Sequence, residues 1–486
     1  MPSATPAAAA VEPPCTSPGA PSVLDAEASQ PWHANELRID VSTSAPATIA
    51  AICALDGDPE ERHLARSSAA DTHTALRLAG LLADSDYTCV LFPVCPPSPD
   101  PPLSLSVHTG PPPDELPPVE VDLPEPGATA YILTNWIDAT DYSTGLLLVY
   151  DAEGRVRWWY RTPDDVGPSL EFAHVGGDRM AWGGGWPPVP AGRPRLVDLF
   201  DGEVWDSGAL MADAEIARFH HDGKRLADGR WATLEQLKVT GEDGEFYGFQ
   251  VRILNPETGA TDLSYSAQRA LDEGHLAGGS GDAWHTNWID TVDYADRREL
   301  YISLRNLSQI IAVDADTGAW RWTFGAGGDF TLVDATGAPL GDDQYPSWLH
   351  GPQFDGRTLL LYDNGREPEQ SRVVAYDLDV DAMIATLLWS WTEEDWYEAY
   401  LGSVRWMPDG DVLVCEGHGE PYSPSPGDHS TFVRFDPDTG EKVWQMRWTD
   451  EGDQAYRAGW ADACDLFANA RYCGSLNAQL SALEPD

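Results

Sequence analysis

The sequence predicts an all-β protein in which a six-bladed β-propeller follows a small β-sandwich domain of the fibronectin-III or immunoglobulin type. Three observations predict this fold. A unit consisting of an apolar strand, an Asp or Asn, a short turn and a Trp-bearing strand recurs six times. The segment TNWIDATDYS at 134 returns as TNWIDTVDYA at 286. Upstream, short β-rich segments such as SDYTCVLFPV are separated by turns. A chain of 486 residues, 42% of them apolar, has enough material for both domains.

Three regions precede the propeller. Residues 1–28 are rich in Pro, Ala and Ser, lack an intact secretory signal and are expected to form a disordered leader. Residues 29–110 are predicted to form the sandwich, in which Tyr87, two residues before Cys89, occupies the place of a tyrosine corner. Residues 111–127, PPPDELPPVEVDLPEPG, have the Pro-rich, acidic composition of a stiff linker.

Residues 128–486 are predicted to form the propeller and a C-terminal tail. The six turn units are anchored at Asp151, Asp198, Asn255, Asp314, Asp377 and Asp436. Their spacings of 47, 57, 59, 63 and 59 residues each suit one four-stranded antiparallel blade with long loops. The D-x-D-x-G sequences at Asp314 and Asp436 are similar to calcium loops, but hairpin turns explain them without a metal.

The charge balance excludes several partners. The chain has 30 basic and 79 acidic residues, for a formal net charge of −49. Such a chain repels nucleic acid and anionic membranes, so we expect no nucleic-acid partner. No stretch approaches the roughly 18 consecutive apolar residues of a membrane-spanning helix, so the sequence predicts no transmembrane segment.

The seven cysteines indicate local disulfides in an exported protein. None forms a CxxC motif. Cys53 can pair with either Cys89 or Cys95, and Cys464 and Cys473 can close a short C-terminal loop. An odd number of cysteines leaves at least one thiol free.

Histidines recur where the innermost strand of each blade would enter the central channel. Five of the twelve occupy this place in four consecutive repeats: His174, His220, His221, His285 and His350. Packing would explain one such histidine, but recurrence at one register favours a shared pocket. Arg305, on the next strand of the His285 repeat, is expected to point inward as well.

Converging imidazoles can bind a metal ion, or they can perform acid–base and nucleophilic work on an anion. A fixed guanidinium beside them argues against a dication and for an oxyanion such as sulfate or phosphate. We therefore expect no metal and no other cofactor. Trp288, Trp348 and Tyr345 are expected to flank the pocket and to offer aromatic faces to a flat ligand.

Three segments together resemble the bacterial arylsulfate sulfotransferases, over about residues 130–450. They are FHHDGKRLADGRWATLEQ, WHTNWIDTVDYADRRELYISLRNLSQIIAVDADTGAWRW and LHGPQFDGRTLLLYDNGREPEQSRVVAYDLD. The resemblance implies a periplasmic or extracellular enzyme. Such an enzyme transfers a sulfuryl group from an aryl sulfate to a phenol by a ping-pong mechanism, without a nucleotide donor (PAPS).

The resemblance also implies roles for individual residues. His350 matches the family nucleophile, which becomes a sulfohistidine. His285, Asn287 and Arg305 match the groups that bind the sulfuryl oxygens. His220 or His221 matches the general acid and base, and the sequence does not decide between the two.

The implied partners are small molecules, an aryl sulfate and a phenol, and a homodimer is compatible with the sequence. An alternative from another class is a non-catalytic propeller of the cell envelope that binds a ligand or a protein. The two readings differ in whether an aryl sulfate is cleaved.

Overall fold

The computed structural model describes residues 20–30, 35–125, 128–138, 145–163, 168–185, 193–207, 218–241, 244–367, 369–417, 429–450 and 453–483. Residues 1–19 of the expected leader lie outside the described residues. The described part is built almost wholly from β-strands, with three short helices. In that part, no helix is long and apolar enough to cross a membrane.

The N-terminal domain contains six strands that form two sheets sharing one long strand. The strands are β1 (Val23–Ser29), β2 (Leu37–Leu55), β3 (Asp58–Arg66), β4 (Asp71–Leu78), β5 (Asp86–Cys95) and β6 (Leu103–His108). The first half of β2 pairs with β1 and β4, and its second half pairs with β3 and β5. Alternate side chains of β2 are buried, and apolar residues of both sheets form one core cluster.

The expected disordered leader is wrong for residues 23–28, because β1 runs through them. Its side chains Val23, Ala26 and Ala28 pack on the core cluster of the domain, and its backbone completes the edge of β2. Pairing with a distant strand therefore orders a segment whose composition alone indicates disorder.

Two sequence expectations for this domain are met. The hydroxyl of Tyr87 accepts a hydrogen bond from the backbone N–H of Leu82 at 2.9 Å, as a tyrosine corner does. Of the two pairings open to Cys53, the structure has Cys53–Cys89, between directly opposed residues of β2 and β5. Cys415 is a free, buried thiol.

The rest of the described chain forms six antiparallel sheets. The first contains β8 (Ala130–Asp138), β9 (Gly145–Tyr150), β10 (Val156–Arg161) and β32 (Asp453–Asp462). The second contains β11 (Glu171–His174), β12 (Arg179–Gly183), β13 (Arg195–Asp198) and β14 (Gly202–Asp206). The third contains β15 (Arg218–Arg225), β16 (Trp231–Gly241), β17 (Gly244–Leu254) and β18 (Thr261–Ser266).

The other three sheets follow the same pattern. The fourth contains β19 (Thr286–Asp293), β20 (Arg298–Leu304), β21 (Gln309–Asp314) and β22 (Trp320–Gly325). The fifth contains β24 (His350–Asp355), β25 (Thr358–Asp363), β26 (Arg372–Asp379) and β27 (Ile384–Trp391), with a short parallel strand, β23 (Thr331–Val333), on its edge. The sixth contains β28 (Ser403–Trp406), β29 (Val412–Cys415), β30 (Thr431–Phe435), β31 (Lys442–Trp448) and β7 (Val119–Leu123).

The six sheets are arranged as in a β-propeller. The first strands of sheets two to six, β11, β15, β19, β24 and β28, contact one another in that order, and β32 contacts both β28 and β11. Middle strands such as GLLLVY and TLLLYD are apolar and buried on both faces, since each sheet packs between two neighbours. Five of the six anchoring residues end the third strand of their sheet or directly follow it, and the Oδ1 of each accepts a backbone N–H two residues on; Asp377 lies within its strand.

Both ends of this region are joined to sheets formed by other parts of the chain. Within the predicted linker 111–127, residues Val119–Leu123 form β7, which pairs with β31, so the linker prediction is wrong there. The alternating sequence VEVDL suits an edge strand, and Arg447 on β31 donates a hydrogen bond to Glu120 at 2.6 Å. At the other end, β32 is the innermost strand of the first sheet, next to β8.

Three short helices complete the described chain. Helix α1 (Ala267–Asp272) follows β18, and α2 (Ala463–Leu466) and α3 (Gly474–Leu483) follow β32. The expected Cys464–Cys473 disulfide is present in this tail. Apolar residues of the tail pack on Ala50, Ile52 and Phe92 of the N-terminal domain. The tail therefore joins the two parts of the molecule.

Candidate active site

Four of the five predicted histidines lie together with a tyrosine at one end of the inner strands. His220 and His221 are on β15, His285 precedes β19, and His350 is the first residue of β24. The Nε2 atoms of His221 and His285 are 3.1 Å apart, and the rings of His220 and His285 have centroids 5.5 Å apart. Tyr456 of β32 stacks on His221 at 5.6 Å and meets His350 edge-on at 6.0 Å. The ring of Tyr456 therefore links His350 to the other three histidines, His220, His221 and His285, which we call the histidine trio.

In each inner strand that carries one of these side chains, or directly follows it, a local irregularity orients the side chain. The pairing register shifts between Phe219 and Gly223 in β15, between Thr286 and Trp288 in β19, between His350 and Gln353 in β24, and between Ala455 and Ala458 in β32. Bulges of this kind re-aim side chains and are common beside active sites. The pairing of β11 is regular, and that strand contributes no histidine to the cluster.

Backbone strain accompanies the irregularities. His221, His285 and Trp348 have φ values of 54°, 40° and 56°, in the left-handed region that non-glycine residues rarely adopt. Gly351, beside His350, has φ 48° and passes so close to Ser403 that a Cβ would lie 3.0 Å from it. Only glycine suits this position, so the HG pair is part of how the chain presents His350.

Hydrogen bonds fix the tautomer of His350. The Nδ2 of Asn364 donates to the carbonyl oxygens of Glu398 and Leu401 at 2.6 and 2.9 Å, which turns its Oδ1 towards His350. Because a carbonyl oxygen only accepts, the Nδ1 of His350, 2.6 Å away, carries the hydrogen. The Nε2 atom then holds a lone pair, and this buried atom has no partner among the described residues. Burial, together with the nearby charge of Arg305, holds the pKa of His350 well below 6.5.

Arg305 is a buried guanidinium without a carboxylate. It begins a short 3-10 turn after β20 and is 4% exposed. Its Nη2 donates to the carbonyl of Ala399 at 2.6 Å, and its Nη1 donates to the side chain of Asn306 at 2.9 Å. No carboxylate within the described ranges lies within 4.0 Å of it, and burial lowers its pKa to about 10. An uncompensated cation in a buried place suits an anionic ligand.

One segment positions both His350 and Arg305. The carbonyls of Glu398 and Leu401 hold Asn364, and the intervening carbonyl of Ala399 accepts from Arg305. The buried carboxylate of Glu398 fixes the segment by accepting the backbone N–H groups of Tyr400 and Leu401 at 2.7 and 2.9 Å. The distance from the lone pair of His350 to the guanidinium thus depends on residues 398–401.

The histidine trio has defined donors as well. The Nδ1–H of His285 donates to Asp282 at 2.6 Å, and the Nδ1–H of His220 donates to the carbonyl of Thr286 at 2.7 Å. Burial lowers the pKa of His220 to about 4, with the neighbouring His285 adding to the effect, and burial holds the pKa of His221 well below 6.5. Neutral imidazoles can exchange protons with a ligand. One nitrogen from each residue lies within 4.8 Å of the others, so the trio could also hold a metal ion.

Asn287 lies beside this cluster. Its Nδ2 donates to the carbonyl of Leu349, next to His350, at 2.8 Å, while its buried Oδ1 has no partner among the described residues. Its backbone carbonyl accepts from Arg457 of β32 at 2.6 Å. Asn287 therefore connects β19 to two other inner strands, and one N–H of its amide remains for a ligand.

Comparison with known proteins identifies the family. The sequence profile of the arylsulfotransferase (ASST) family matches residues 128–457. The chain belongs to the arylsulfotransferase (ASST) family. The matched region begins at the first sheet and ends at Arg457, so it contains all the site residues described above.

No curated protein sequence matches this arylsulfotransferase-family chain. Similar solved structures include a hypothetical selenium-binding protein from Sulfolobus tokodaii, 12% identical over 87% of this chain and 96% of that one, with a TM-score of 0.40. They also include Saccharomyces cerevisiae Sqt1, 8% identical over 74% and 79%, with a TM-score of 0.34. Citrobacter koseri AztD is 12% identical over 86% and 98%, with a TM-score of 0.29. These likenesses are too low to carry an argument about function.

Two residues expected in the site of this arylsulfotransferase-family chain lie elsewhere. His174 ends β11, and its Nε2 hydrogen-bonds the carbonyl of Gly177 in the following turn at 2.9 Å. The other four histidines lie at or near the beginning of their strands. The prediction that His174 occupies the equivalent position was therefore wrong, because His174 lies at the other end of its strand. Trp288 is fully buried in the core between the fourth and fifth sheets, with Leu349 and Tyr301, and offers no face to a ligand.

The other two expected aromatic residues line the surface beside Arg305. Trp348 and Tyr345 border a cavity of about 630 Å³, together with Arg366. The Trp348 ring contacts the guanidinium of Arg305 at 4.0 Å and that of Arg366 at 4.2 Å. Trp348 therefore touches a site residue directly, whereas Tyr345 lies further out.

Sequence reasoning missed Asn364, Asp282 and Tyr456. Asn364 follows a buried strand in YDNG, and a polar residue at the end of such a strand was the available signal. Asp282 lies three residues before His285, in a loop without a pattern. Tyr456 lies on β32, which has no turn unit, and its pairing with β8 is not visible in the repeats.

Proposed function

We propose that this chain is an aryl sulfotransferase that moves a sulfuryl group from an aryl sulfate to a phenol through a sulfohistidine at His350. One observation carries the proposal: the buried lone pair of His350 Nε2 and the guanidinium of Arg305, which has no carboxylate partner among the described residues, are positioned by the same segment, residues 398–401. A nucleophile and an anion-binding group side by side are what transfer of a charged group requires. Family membership supports the same activity.

The first step forms a bond between His350 Nε2 and the sulfur and breaks the bond from sulfur to the aryl oxygen. The electron pair of that bond leaves with the phenol oxygen, which takes a proton from a general acid. In the second step an acceptor phenol gives its proton to the same group, now a base. The oxygen of the acceptor phenol attacks the sulfur, the N–S bond breaks, and its electron pair returns to Nε2 of His350. Atoms and charge balance without a metal or a nucleotide.

His221 is the proposed general acid and base. It shares the ring of Tyr456 with His350, and its Nε2 meets that of His285, whose Nδ1–H is held by Asp282. His220 is committed through Nδ1 to the carbonyl of Thr286 and supports the trio. This assigns different roles to the two adjacent histidines.

Arg305 supplies the main charge for the sulfuryl oxygens, which carry negative charge throughout the transfer. The remaining amide N–H of Asn287 is the proposed further donor, whereas His285, whose Nδ1–H is held by Asp282 and whose Nε2 lies against that of His221, supports His221 instead. The hydroxyl of Tyr456 is buried and makes no hydrogen bond to the described residues, so it is available to the same oxygens.

The wider architecture belongs to the same proposal. The ring of contacts among the inner strands supports six blades in one closed propeller, and the two sheets sharing β2 support a sandwich in front of it. Disulfides support export to an oxidising compartment, periplasmic or extracellular. Trp348 is proposed to act beside the substrate site, and a homodimer stays a prediction.

Incubation with 4-nitrophenyl sulfate, with and without added phenol, tests the activity. Phenol-dependent release of nitrophenol is the expected result. Release into water alone would indicate a sulfatase. No release under any condition would favour a non-catalytic, ligand-binding propeller. His174→Ala is the matched control, because this histidine lies outside the cluster and its loss should leave the rate unchanged.

A further inference from the structure

The guanidinium of Arg305 makes two hydrogen bonds and lies against aromatic rings, whereas the buried Arg157 and Arg457 are paired with carboxylates. Arg157 is fully buried and paired with Glu61 and Asp151 at 2.6 Å each. Arg457, also buried, is paired with Glu171 and Asp222. The guanidinium of Arg305 instead lies over Trp348 at 4.0 Å and over Tyr400 at 5.2 Å.

The two carboxylates in this neighbourhood are committed to other groups. Glu398 accepts the backbone N–H groups of Tyr400 and Leu401, and Asp282 accepts the Nδ1–H of His285. An ion pair would fix Arg305 equally well, but it would cancel the charge that an anionic substrate needs. An aromatic face attracts a guanidinium through its quadrupole and leaves the net charge in place.

The position of Trp348 is itself determined by the site. Its backbone N–H donates to Ser308 Oγ at 3.2 Å, in the loop that begins with Arg305, and its carbonyl lies 3.2 Å from the Nδ1 of His350. Its φ of 56° is costly for a tryptophan. The exposed Arg366 meets the same ring at 4.2 Å, and no carboxylate in the described part of the chain pairs with it. Trp348 thus contacts two guanidinium groups, neither of which is paired with a carboxylate among the residues that the structure describes.

We propose that Trp348 is a positioning residue that holds Arg305 in place by cation–π contact while preserving its charge for the sulfuryl group. Arg366 adds a second positive charge to the same ring and favours the approach of an anionic donor. This inference rests on the proposed function for its kinetic consequences. Its binding consequences, for any tetrahedral oxyanion, do not depend on turnover.

The kinetic test compares Trp348→Leu with Trp348→Phe. Loss of a desolvated cation–π contact should lower kcat for transfer from 4-nitrophenyl sulfate about 30-fold, and Phe should recover most of it. In an Arg305→Ala background, Trp348→Leu should change kcat less than about twofold, because the ring has nothing left to position. Arg366→Gln should raise KM for the donor about threefold with little change in kcat. Trp320→Leu, which removes a tryptophan stacked on His275, is the matched control.

A merely structural role for Trp348 gives a different pattern. The losses from Trp348→Leu and Arg305→Ala would then add in the double variant, and Phe would rescue no better than Leu. Either result overturns the proposal. Calorimetric titration with inorganic sulfate gives a readout without turnover: Trp348→Leu and Arg305→Ala should each weaken binding at least tenfold.

Sulfate binding separates this inference from the proposed function. A wild-type protein that binds sulfate through Arg305 and Trp348 but transfers nothing would overturn the proposed activity and uphold the positioning role. A Trp348→Leu variant that binds sulfate as tightly as wild type would overturn the positioning role, whatever the activity.

Discussion

At the residue scale, Asn364 decides whether His350 can act as a nucleophile. Its Oδ1 accepts the Nδ1–H, so the lone pair stays on Nε2. Asn364→Ala should lower kcat for sulfuryl transfer on the order of a hundredfold or more, because the imidazole can then adopt the tautomer with hydrogen on Nε2. The rate of nitrophenol release in the presence of phenol measures this loss of kcat.

Asn477→Ala, on α3, is the control and should transfer at the wild-type rate. An Asn364→Ala variant with near-native kcat would mean that another group sets the tautomer. The same variant should lose some thermal stability, since two hydrogen bonds to residues 398–401 go with it. A loss of kcat measured well below the midpoint of unfolding separates the two effects.

The pH dependence follows from the buried imidazoles. Burial lowers the pKa of His220 from 6.5 to about 4 and holds those of His221 and His350 well below 6.5. His350 attacks only in its neutral form, so kcat/KM for 4-nitrophenyl sulfate should show no loss centred near pH 6.5 and should fall only at lower pH. A decline centred near 6.5 would instead indicate a solvated imidazole.

The free energy of unfolding should also fall as the pH is lowered. In the unfolded chain these histidines take up protons near pH 6.5, whereas in the folded chain they resist protonation until the pH is much lower. The unfolded state therefore binds more protons in this window, and the free energy of unfolding should fall as the pH drops from about 6.5 towards 4. Denaturant titrations at several pH values measure this trend.

At the element scale, β32 brings the C-terminal part of the chain to the axis. Its Arg457 makes buried contacts with Glu171 of β11, Asp222 of β15 and the carbonyl of Asn287 on β19. Arg457→Met would remove the closest cation from two buried carboxylates and leave each with a longer ion pair, Asp222 with Lys224 at 3.8 Å and Glu171 with Arg405 at 3.7 Å. We expect a loss of about 3–5 kcal/mol in the free energy of unfolding, measured by thermal or urea denaturation.

Arg447→Met on the outer strand β31 is the control for this variant. Its side chain is 34% exposed and pairs with Glu120 and Asp122, so its loss should cost less than about 1 kcal/mol. Equal losses for the two variants would show that the buried network contributes no more than a surface ion pair. In that case the closing strand would depend on backbone pairing and apolar packing alone.

The repeats predict strands and turns better than they predict the site, and the reason lies in the range of the interactions. An Asx turn depends on a few neighbouring residues, so the turn units were visible in the sequence, and five of the six anchors form such a turn. The pairing of β32 with β8, and the register shift within it, depend on residues about 320 positions apart. His174 looks equivalent to the other histidines in sequence, but the regular pairing of β11 leaves it at the far end of its strand.

Across the whole molecule, the sequence indicated the all-β architecture and seven site positions that the structure brings together or into contact. Trp348 was one of them, although its contact is with Arg305. The leader and the linker were wrong where they contain β1 and β7, since composition does not show a distant pairing edge. Asn364 and Tyr456 were missed because each acts on a histidine from another part of the chain.

The net charge of the molecule opposes the charge of the site. A formal charge of −49 repels an anionic donor at long range, whereas Arg305 attracts it only at short range. Salt screens the long-range part, with a Debye length of about 10 Å at 0.1 M, so kcat/KM for 4-nitrophenyl sulfate should rise a few-fold as salt increases from low millimolar levels. KM for neutral phenol is the internal control and should not change. A fall in kcat/KM with salt would mean that the local cations dominate the approach.

The central claim is that His350 carries the sulfuryl group between donor and acceptor. Wild-type protein incubated with 4-nitrophenyl sulfate without acceptor should gain the mass of one sulfuryl group on the peptide containing His350, and added phenol should remove it. His350→Ala should show neither the added mass nor phenol-dependent release. Transfer at a near-native rate by His350→Ala, or the sulfuryl group on a different residue of the wild type, would contradict the account.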